Sequence, residues 1–405
     1  MKFILPRAIY GNRGDLASRW GVLAGLHQLG VDDALVFRKL PGDVPAGICS
    51  TLPYGKGRNL LLPAGVWRLF TKPNVVLWAA GLDIQDDSSL VKLFYLWLVF
   101  SIYRARGLKV VCLFQGAGPL NTKPGRWLAT QALSRVNVFA ARDPGTLRLI
   151  NEISPATRTI LAHDAIFLPG FEHEVEQLPA GEKALVDKYI GDKTEGPVIG
   201  INLRLWFHFS SSLLPYQMNK SAYRKQSQEK MSQLIKSMSQ LIRKLRSDHN
   251  AHILLISAYQ PGVLPWEDDL PWLQQLKADF AEDDGVILTD KPMSMPQYYA
   301  LMSRLDVMVG MRLHSSLIAL RMGVPSINIS YTLKGRDILE YMGLGSNVVD
   351  LNGFLADPKL ALSRLQGLLG SLTESRVVVR ERSDRAIQEN MQVLSSLLQE
   401  LRAGL

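Results

Sequence analysis

Arg312 and His314 stand two residues apart where a buried-looking run, Val307–Val309, gives way to a helical pattern. The stretch from Leu305 to Tyr331 reads as strand, tight turn, helix, Gly323-Val-Pro325 stop and strand, which is a complete βαβ unit. A helix start beyond a buried strand offers unpaired backbone N–H groups and the positive end of the helix dipole, so it suits an anion. A guanidinium and an imidazole there, with Ser315 and Ser316 beside them, predict a site for a phosphorylated or carboxylated small molecule. Tyr331 and Lys334 follow the next strand and so reach the same sheet edge. Arg204 follows the apolar run Val198–Leu203 in the position that matches Arg312, and it shares a strand face with Asn202 by the two-residue period. A lone histidine on a helix is more often a core residue and a lone arginine a surface one. Their convergence on one edge favours a cationic pocket.

The N-terminal half carries polar residues beside glycine at three places that follow apolar runs. These are Gly11-Asn12-Arg13-Gly14-Asp15, Ala79-Ala80-Gly81-Leu82-Asp83 and Gln115-Gly116-Ala117-Gly118-Pro119. Glycine lets a backbone approach a ligand closely. None is a Walker loop or a dinucleotide fingerprint, and each alone is also a plain turn. Three at the strand C-termini of one sheet predict a ligand face. Arg142-Asp143 reads as a local ion pair or as a cap for a helix from Gly145. His163-Asp164 leaves Asp164 as a cap or a cleft carboxylate.

The elements that must position these residues alternate along the chain. Predicted strands at Phe3–Tyr10, Val75–Ala79, Val110–Phe114, Val136–Ala140 and Thr159–Leu161 are separated by helical patterns, including Leu16–Leu29 and one from about Gly125. A second series begins at Val198–Leu203 and continues through a helix at Met231–Arg246 and strands at His252–Ile256, Val286–Leu288, Val307–Val309 and Ser326–Ile329. Such alternation implies parallel, doubly wound sheets with ligand loops at the strand C-termini. The 405 residues exceed what one hydrophobic core usually supports. The expected division is an N-terminal domain over 1–175, a linker over 176–196, a C-terminal domain over 197–370 and a helical tail over 371–405. In that tail Val377-Val-Val379 could begin a new segment, and the terminal helix would fit back on the first domain. The fold class is therefore α/β, two Rossmann-like domains facing across a cleft.

The formal net charge of +9 fits an acidic partner or simply a basic surface. The basic helix around Arg224–Arg246 lacks aromatic stacking residues or a recognised module, so a solvated face is preferred to nucleic-acid binding. Two cysteines, Cys49 and Cys112, without ligand spacing predict neither a disulfide framework nor a zinc site, and no metal is expected. Pro6 and Arg7 interrupt the first apolar residues, so no signal peptide is expected and the cytoplasm is the default. Leu90–Tyr103 is the most apolar run, short of a membrane span and containing Lys92. It reads as a buried core helix or as an interfacial helix with Arg104 and Arg106 at its end.

The segment Gly310-Met-Arg-Leu-His314, followed by Ala319, Gly323-Val-Pro325, Ile329, Tyr331 and Lys334, resembles the signature of the polysaccharide pyruvyl transferases. Asn12-Arg-Gly-Asp15, Gln115-Gly-Ala-Gly-Pro119, Arg142-Asp143 and His163-Asp164-Ala-Ile-Phe167 resemble that family's successive N-terminal motifs, and Ile199-Gly-Ile-Asn-Leu-Arg204 its opening strand in the second domain. The resemblance implies a GT-B-like fold and transfer of a pyruvyl group from phosphoenolpyruvate to sugar hydroxyls, often as a ketal. Phosphoenolpyruvate would be a co-substrate, with no further cofactor. Arg204, Arg312, Lys334 and Ser315 are then expected to bind the donor. His314 is expected to protonate its methylene carbon, its protonation coupled to donor binding. Asn12, Asp15, Asp83 and Gln115 are expected to contact the acceptor, a glycan or a lipid-linked oligosaccharide, with peripheral contact at the inner face of the cell membrane. Two rival readings use the same residue types: a GT-B nucleotide-sugar glycosyltransferase, and a non-catalytic glycan- or membrane-binding component of a polysaccharide assembly complex.

Overall fold

The computed structural model describes residues 2–7, 11–32, 34–38, 47–53, 75–86, 90–191, 195–205, 220–259 and 268–404. The first unit runs β1 (Phe3–Leu5), α1 (Arg13–Gln28), β2 (Leu35–Arg38), β3 (Ser50–Pro53), β4 (Val75–Ile84), α2 (Leu90–Ala105), β5 (Lys109–Ala117), α3 (Lys123–Leu133), β6 (Val138–Ala141), α4 (Pro144–Ile153) and β7 (Arg158–Leu161). Two helices follow, α5 (Glu172–Glu176) and α6 (Ala180–Ile190). The second unit runs β8 (Val198–Asn202), α7 (Lys220–His249), β9 (His252–Ile256), α8 (Leu270–Ala278), β10 (Val286–Thr289), α9 (Met295–Ser303), β11 (Val307–Gly310), α10 (Leu313–Arg321), β12 (Ser326–Ser330), α11 (Leu333–Tyr341) and β13 (Val348–Asp350). The chain ends in α12 (Leu351–Ala356), α13 (Lys359–Gly370) and α14 (Leu372–Ala403).

Among the described residues the strands pair in the orders β3-β2-β1-β4-β5-β6-β7 and β10-β9-β8-β11-β12-β13. Neighbours are parallel, with Gly310 opposite both Asn202 and Asn328 in the second sheet. Helices cover both faces of each sheet, which is why buried strands such as His252–Ile256 read as unbroken apolar runs. In each sheet the order reverses beside the first strand, between β1 and β4 and between β8 and β11. Ligands of doubly wound sheets sit outside the carboxyl ends at such points.

Several expectations shift. Residues 8–10 of the first predicted strand lie outside the described residues. The loop expected over Gly11–Asp15 is already helix from Arg13, because the Asn12 side chain caps it by accepting from the Gly14 N–H at 3.0 Å. β4 and β5 run on to Ile84 and Ala117, so Ala79–Asp83 and Gln115-Gly-Ala117 are strand, not loop. The expected linker contains α6, which docks on the second unit: Gln297 Nε2 donates to the Glu182 carbonyl at 3.1 Å. Val377-Val-Val379 lies inside α14 and begins no new segment. No helix among the described residues is long and apolar enough to cross a membrane.

The tail closes on the first unit. Leu394, Leu397, Leu398 and Leu401 join its core beside Val138 and Ala140. Asn390, fully buried, accepts from the His163 backbone N–H at 2.8 Å and donates to the Asp164 and Phe167 carbonyls at 3.0 and 2.9 Å. One amide thus fixes the turn after β7 that carries Asp164. Asn390→Ala would take the partner from the His163 N–H and the Phe167 carbonyl, while the Asp164 carbonyl keeps the Phe167 N–H, and we expect a loss of about 2 kcal/mol of stability. Urea denaturation with an unchanged midpoint would contradict this anchoring role.

Candidate active site

The carboxyl ends of the two sheets face each other across a cleft of about 1000 Å³. Asn12, Asp15, Arg204, Arg312, His314, Ser315 and Lys334 all line it, so residues far apart in sequence converge as expected. The cleft is strongly cationic, since Arg13, Arg142 and Lys230 add to these groups against Asp15, Asp143 and Asp337.

His314 lies in the first turn of α10, whose N-cap residue is Arg312. Its imidazole crosses to the first unit. There the buried Asp164 carboxylate accepts from Arg142 Nη1 at 2.8 Å, from Ser18 Oγ at 3.2 Å and from the Ile166 N–H at 3.0 Å. His314 Nε2 stands 3.5 Å from Arg142 Nη1 and 3.8 Å from Asp164 Oδ2. A neutral ring can therefore accept from the arginine, and a protonated ring can face the carboxylate. Burial depresses the His314 pKa, Asp164 and Asp15 oppose that, and Arg142 and Arg204 reinforce it; the net direction is down. Burial alone would raise the Asp164 pKa, but Arg142, His314, the Ile166 N–H and Ser18 together hold it below the ordinary carboxylate value.

Gly14 explains the glycine in the Asn12-Arg-Gly-Asp15 motif. A Cβ there would sit 2.2 Å from Cβ, Cγ and Nδ1 of His314, so only glycine lets the imidazole lie on α1.

Arg312 is buried and held from several sides. Its Nε donates to Asp269 Oδ2 at 3.0 Å, its guanidinium lies 4.2 Å from the Tyr259 ring centroid, and its backbone N–H donates to Asn202 Oδ1 at 2.9 Å. Asp269 also accepts from Ser257 Oγ, Asn202 Nδ2 and the Ala258 N–H. This fixes the plane of the arginine fork before any ligand arrives. Arg204 donates to the Tyr331 hydroxyl and lies 5.0 Å from that ring's centroid. Arg13 spans the units: its N–H donates to the Ala258 carbonyl at 3.2 Å and its Nη1 to the Met293 carbonyl at 2.9 Å.

Asp83 and Gln115 do not line the cleft. Their side chains are held inside the domain by partners there. Asp83 accepts from Trp78 Nε1 at 2.9 Å and pairs with Lys92 at 2.8 Å and Arg7 at 3.4 Å. Burial opposes its ionisation, yet Arg7 and Lys92 outweigh that and hold its pKa at about 2. Gln115 Nε2 donates to the Trp78 carbonyl at 3.1 Å. Both act as internal braces, away from the cleft that Asn12 and Asp15 line.

Other residues in the site went unassigned. The Arg142–Asp164 pair was legible as two separate dipeptides but not as a pair, whereas Asp143 does cap α4 by accepting from the Thr146 N–H at 2.6 Å. Lys230, on a helix read as solvated, lines the cleft. Asp269 gave no signal, because its partners Asn202, Ser257, Ala258 and Arg312 come from the ends of three different strands and no spacing links them to it. Among the described residues no group of three or more His, Cys, Asp or Glu could hold a metal ion. Gly14→Ala must displace His314, and a shift near 1 Å costs about 100-fold in rate. A Gly14→Ala protein with native turnover would show that this contact does not position the imidazole.

Known structures share the architecture at low identity. UDP-GlcNAc 2-epimerase from Neisseria meningitidis bound to UDP-GlcNAc matches with TM-score 0.63 and 13% identity, over 98% of this chain and 100% of that one. HepE of Anabaena in complex with UDP-glucose matches with TM-score 0.60 and 13% identity over 100% of both chains. UDP-GlcNAc 2-epimerase from Methanocaldococcus jannaschii matches with TM-score 0.57 and 11% identity, over 88% of this chain and 91% of that one. These likenesses establish a GT-B fold of two Rossmann-like domains. The sequence goes further: residues 12–332 match the polysaccharide pyruvyl transferases, so the chain, with its Arg312/His314 segment inside the matched region, belongs to the polysaccharide pyruvyl transferase family.

Proposed function

We propose that this protein transfers the pyruvyl group of phosphoenolpyruvate to two hydroxyls of a glycan, forming a ketal and releasing phosphate. The observation that carries this reading is the His314 imidazole, set against the Arg142–Asp164 pair in a cleft that Arg312 also lines. Phosphoenolpyruvate bears a phosphate and a carboxylate. Arg312, Arg204 and Lys334, with the start of α10, supply matching cations and N–H donors. The cleft exceeds the size of that donor, which leaves room for sugar units.

The proposed reaction begins when His314 gives its proton to the methylene carbon. The resulting oxocarbenium centre is attacked by one sugar hydroxyl. Phosphate then leaves and a second hydroxyl adds, so two hydroxyls and one phosphoenolpyruvate give one ketal and one phosphate. Asn12 and Asp15 face the acceptor side. Of the other lining carboxylates, Asp143 is occupied by Thr146, whereas Asp337 has its pKa raised by burial and by Asp143, which suits a base.

A nucleotide-sugar transferase would place a diphosphate on the same cations, so the released product discriminates: phosphate from phosphoenolpyruvate here, a nucleoside diphosphate there. A non-catalytic glycan-binding protein would release neither.

Three outcomes follow from this chemistry. His314→Gln should lower phosphate release, measured with donor and acceptor present, by about 100-fold or more while donor affinity changes little. Near-native release would remove the general acid. Arg312→Lys keeps a charge for Asp269 but loses the planar fork, and calorimetry should show at least about 10-fold weaker phosphoenolpyruvate binding. An unchanged dissociation constant would end that assignment. The acid form of His314 is the active one, so rate falls as pH rises through its pKa. Since burial lowers that pKa in the free protein and a bound trianion raises it, the falling limb of kcat should lie at higher pH than that of kcat/KM. Coincident limbs would contradict the coupling.

A further inference from the structure

We propose that the face built by α2 and α3 seats the protein on an anionic lipid bilayer, with its aromatic side chains in the headgroup layer and the cleft opening beside the membrane. This does not depend on which donor the cleft binds.

The face is apolar on both sides of one helix. Leu93, Leu96, Val99 and Phe100 of α2 are buried in the first unit, yet Phe94 on the opposite side is 48% exposed. Trp127 of α3 is 56% exposed. Trp97 joins them, its ring centroid 5.6 Å from that of Phe94 and 6.0 Å from that of Trp127. A continuous aromatic surface of this kind is unusual toward water, and Trp and Phe are the side chains that favour the bilayer interface.

The charge around it is one-sided. From Leu90 through Arg142 the sequence contains no Asp or Glu, while Lys92, Arg104, Arg106, Lys109, Lys123, Arg126 and Arg135 all fall in that stretch. Some are answered from outside, Lys92 by Asp83 and Arg126 by Glu152. Lys123 is exposed one turn before Trp127 in α3, and Arg104, exposed in the last turn of α2, donates to Asn137 Oδ1. Basic residues flanking interfacial aromatics fit the negative potential of anionic lipid. The same one-sidedness disfavours a second copy on this face, since it would bring like charges together.

The location gives the contact a use. Phe94 and Trp127 lie in the second turns of α2 and α3, and the segments leading into those helices supply Gly81, Leu82, Gln85 and Pro119 to the cleft wall. With no membrane-spanning helix among the described residues, the mode is docking on the surface, not insertion. An acceptor held at a bilayer would then meet the cleft at its rim.

The test is co-sedimentation of the full chain with vesicles of phosphatidylcholine alone or mixed with phosphatidylglycerol, at low and high salt. Binding should require the anionic lipid and weaken with salt. The Phe94→Ser/Trp127→Ser variant should bind at least about 10-fold more weakly, and Lys123→Glu should also bind less. Both variants should keep activity on a water-soluble acceptor, which shows that they fold. Wild-type protein that stays in the supernatant with anionic vesicles would overturn the proposal. So would aromatic variants that bind like wild type, or that instead dissociate a dimer in sedimentation velocity.

Discussion

A buried carboxylate must be answered, and most of the site is organised by the answering of Asp164. Left alone in the interior its charge would be very costly. Arg142 comes from the end of β6, Ser18 from α1 and the Ile166 N–H from the turn itself, while His314 arrives from the other domain. Asn390, from the far end of the chain, holds the Asp164 carbonyl. Sheet edge, tail helix and domain pairing are thereby referred to one side chain.

That arrangement ties chemistry to the assembly of two domains. His314 belongs to the second unit, and burial weighs most on its protonation, but of the charges that act on it Asp164, Asp15 and Arg142 belong to the first unit and only Arg204 to its own. Neither domain alone sets the acidity of this imidazole. The glycine at position 14 is the steric half of the same design, and Arg13, reaching the Ala258 and Met293 carbonyls, is the hydrogen-bonded half. In the second unit Asp269 does for Arg312 what Asp164 does for Arg142: it fixes a guanidinium before a ligand is present.

The sequence was most informative where one local device did the work. The βαβ unit around Arg312 and His314 was visible because strand, helix start and Gly-Val-Pro stop all lie within one stretch. Asp143 was readable as a cap for the same reason. The segments holding Asp83 and Gln115 misled as to structure, because a glycine after an apolar run looks like a loop although the strand continues through it. Their side chains were then claimed by Trp78, Arg7 and Lys92, partners that spacing along the chain cannot reveal. Lys230 was hidden by ordinary helix charge patterning, and Asp269 by the absence of any pattern. The short strands β2, β3 and β13 carried too few residues for a period to show.

The central claim is that a donor held by the Arg312 pocket is protonated at carbon while it is transferred. Running the reaction of phosphoenolpyruvate with glycan acceptors in deuterated water, and weighing the product, tests it most directly. The account predicts a pyruvate ketal, formed with release of one phosphate, whose methyl group carries one deuterium from solvent. A ketal without solvent deuterium, or a product built only from a nucleotide sugar, would contradict it.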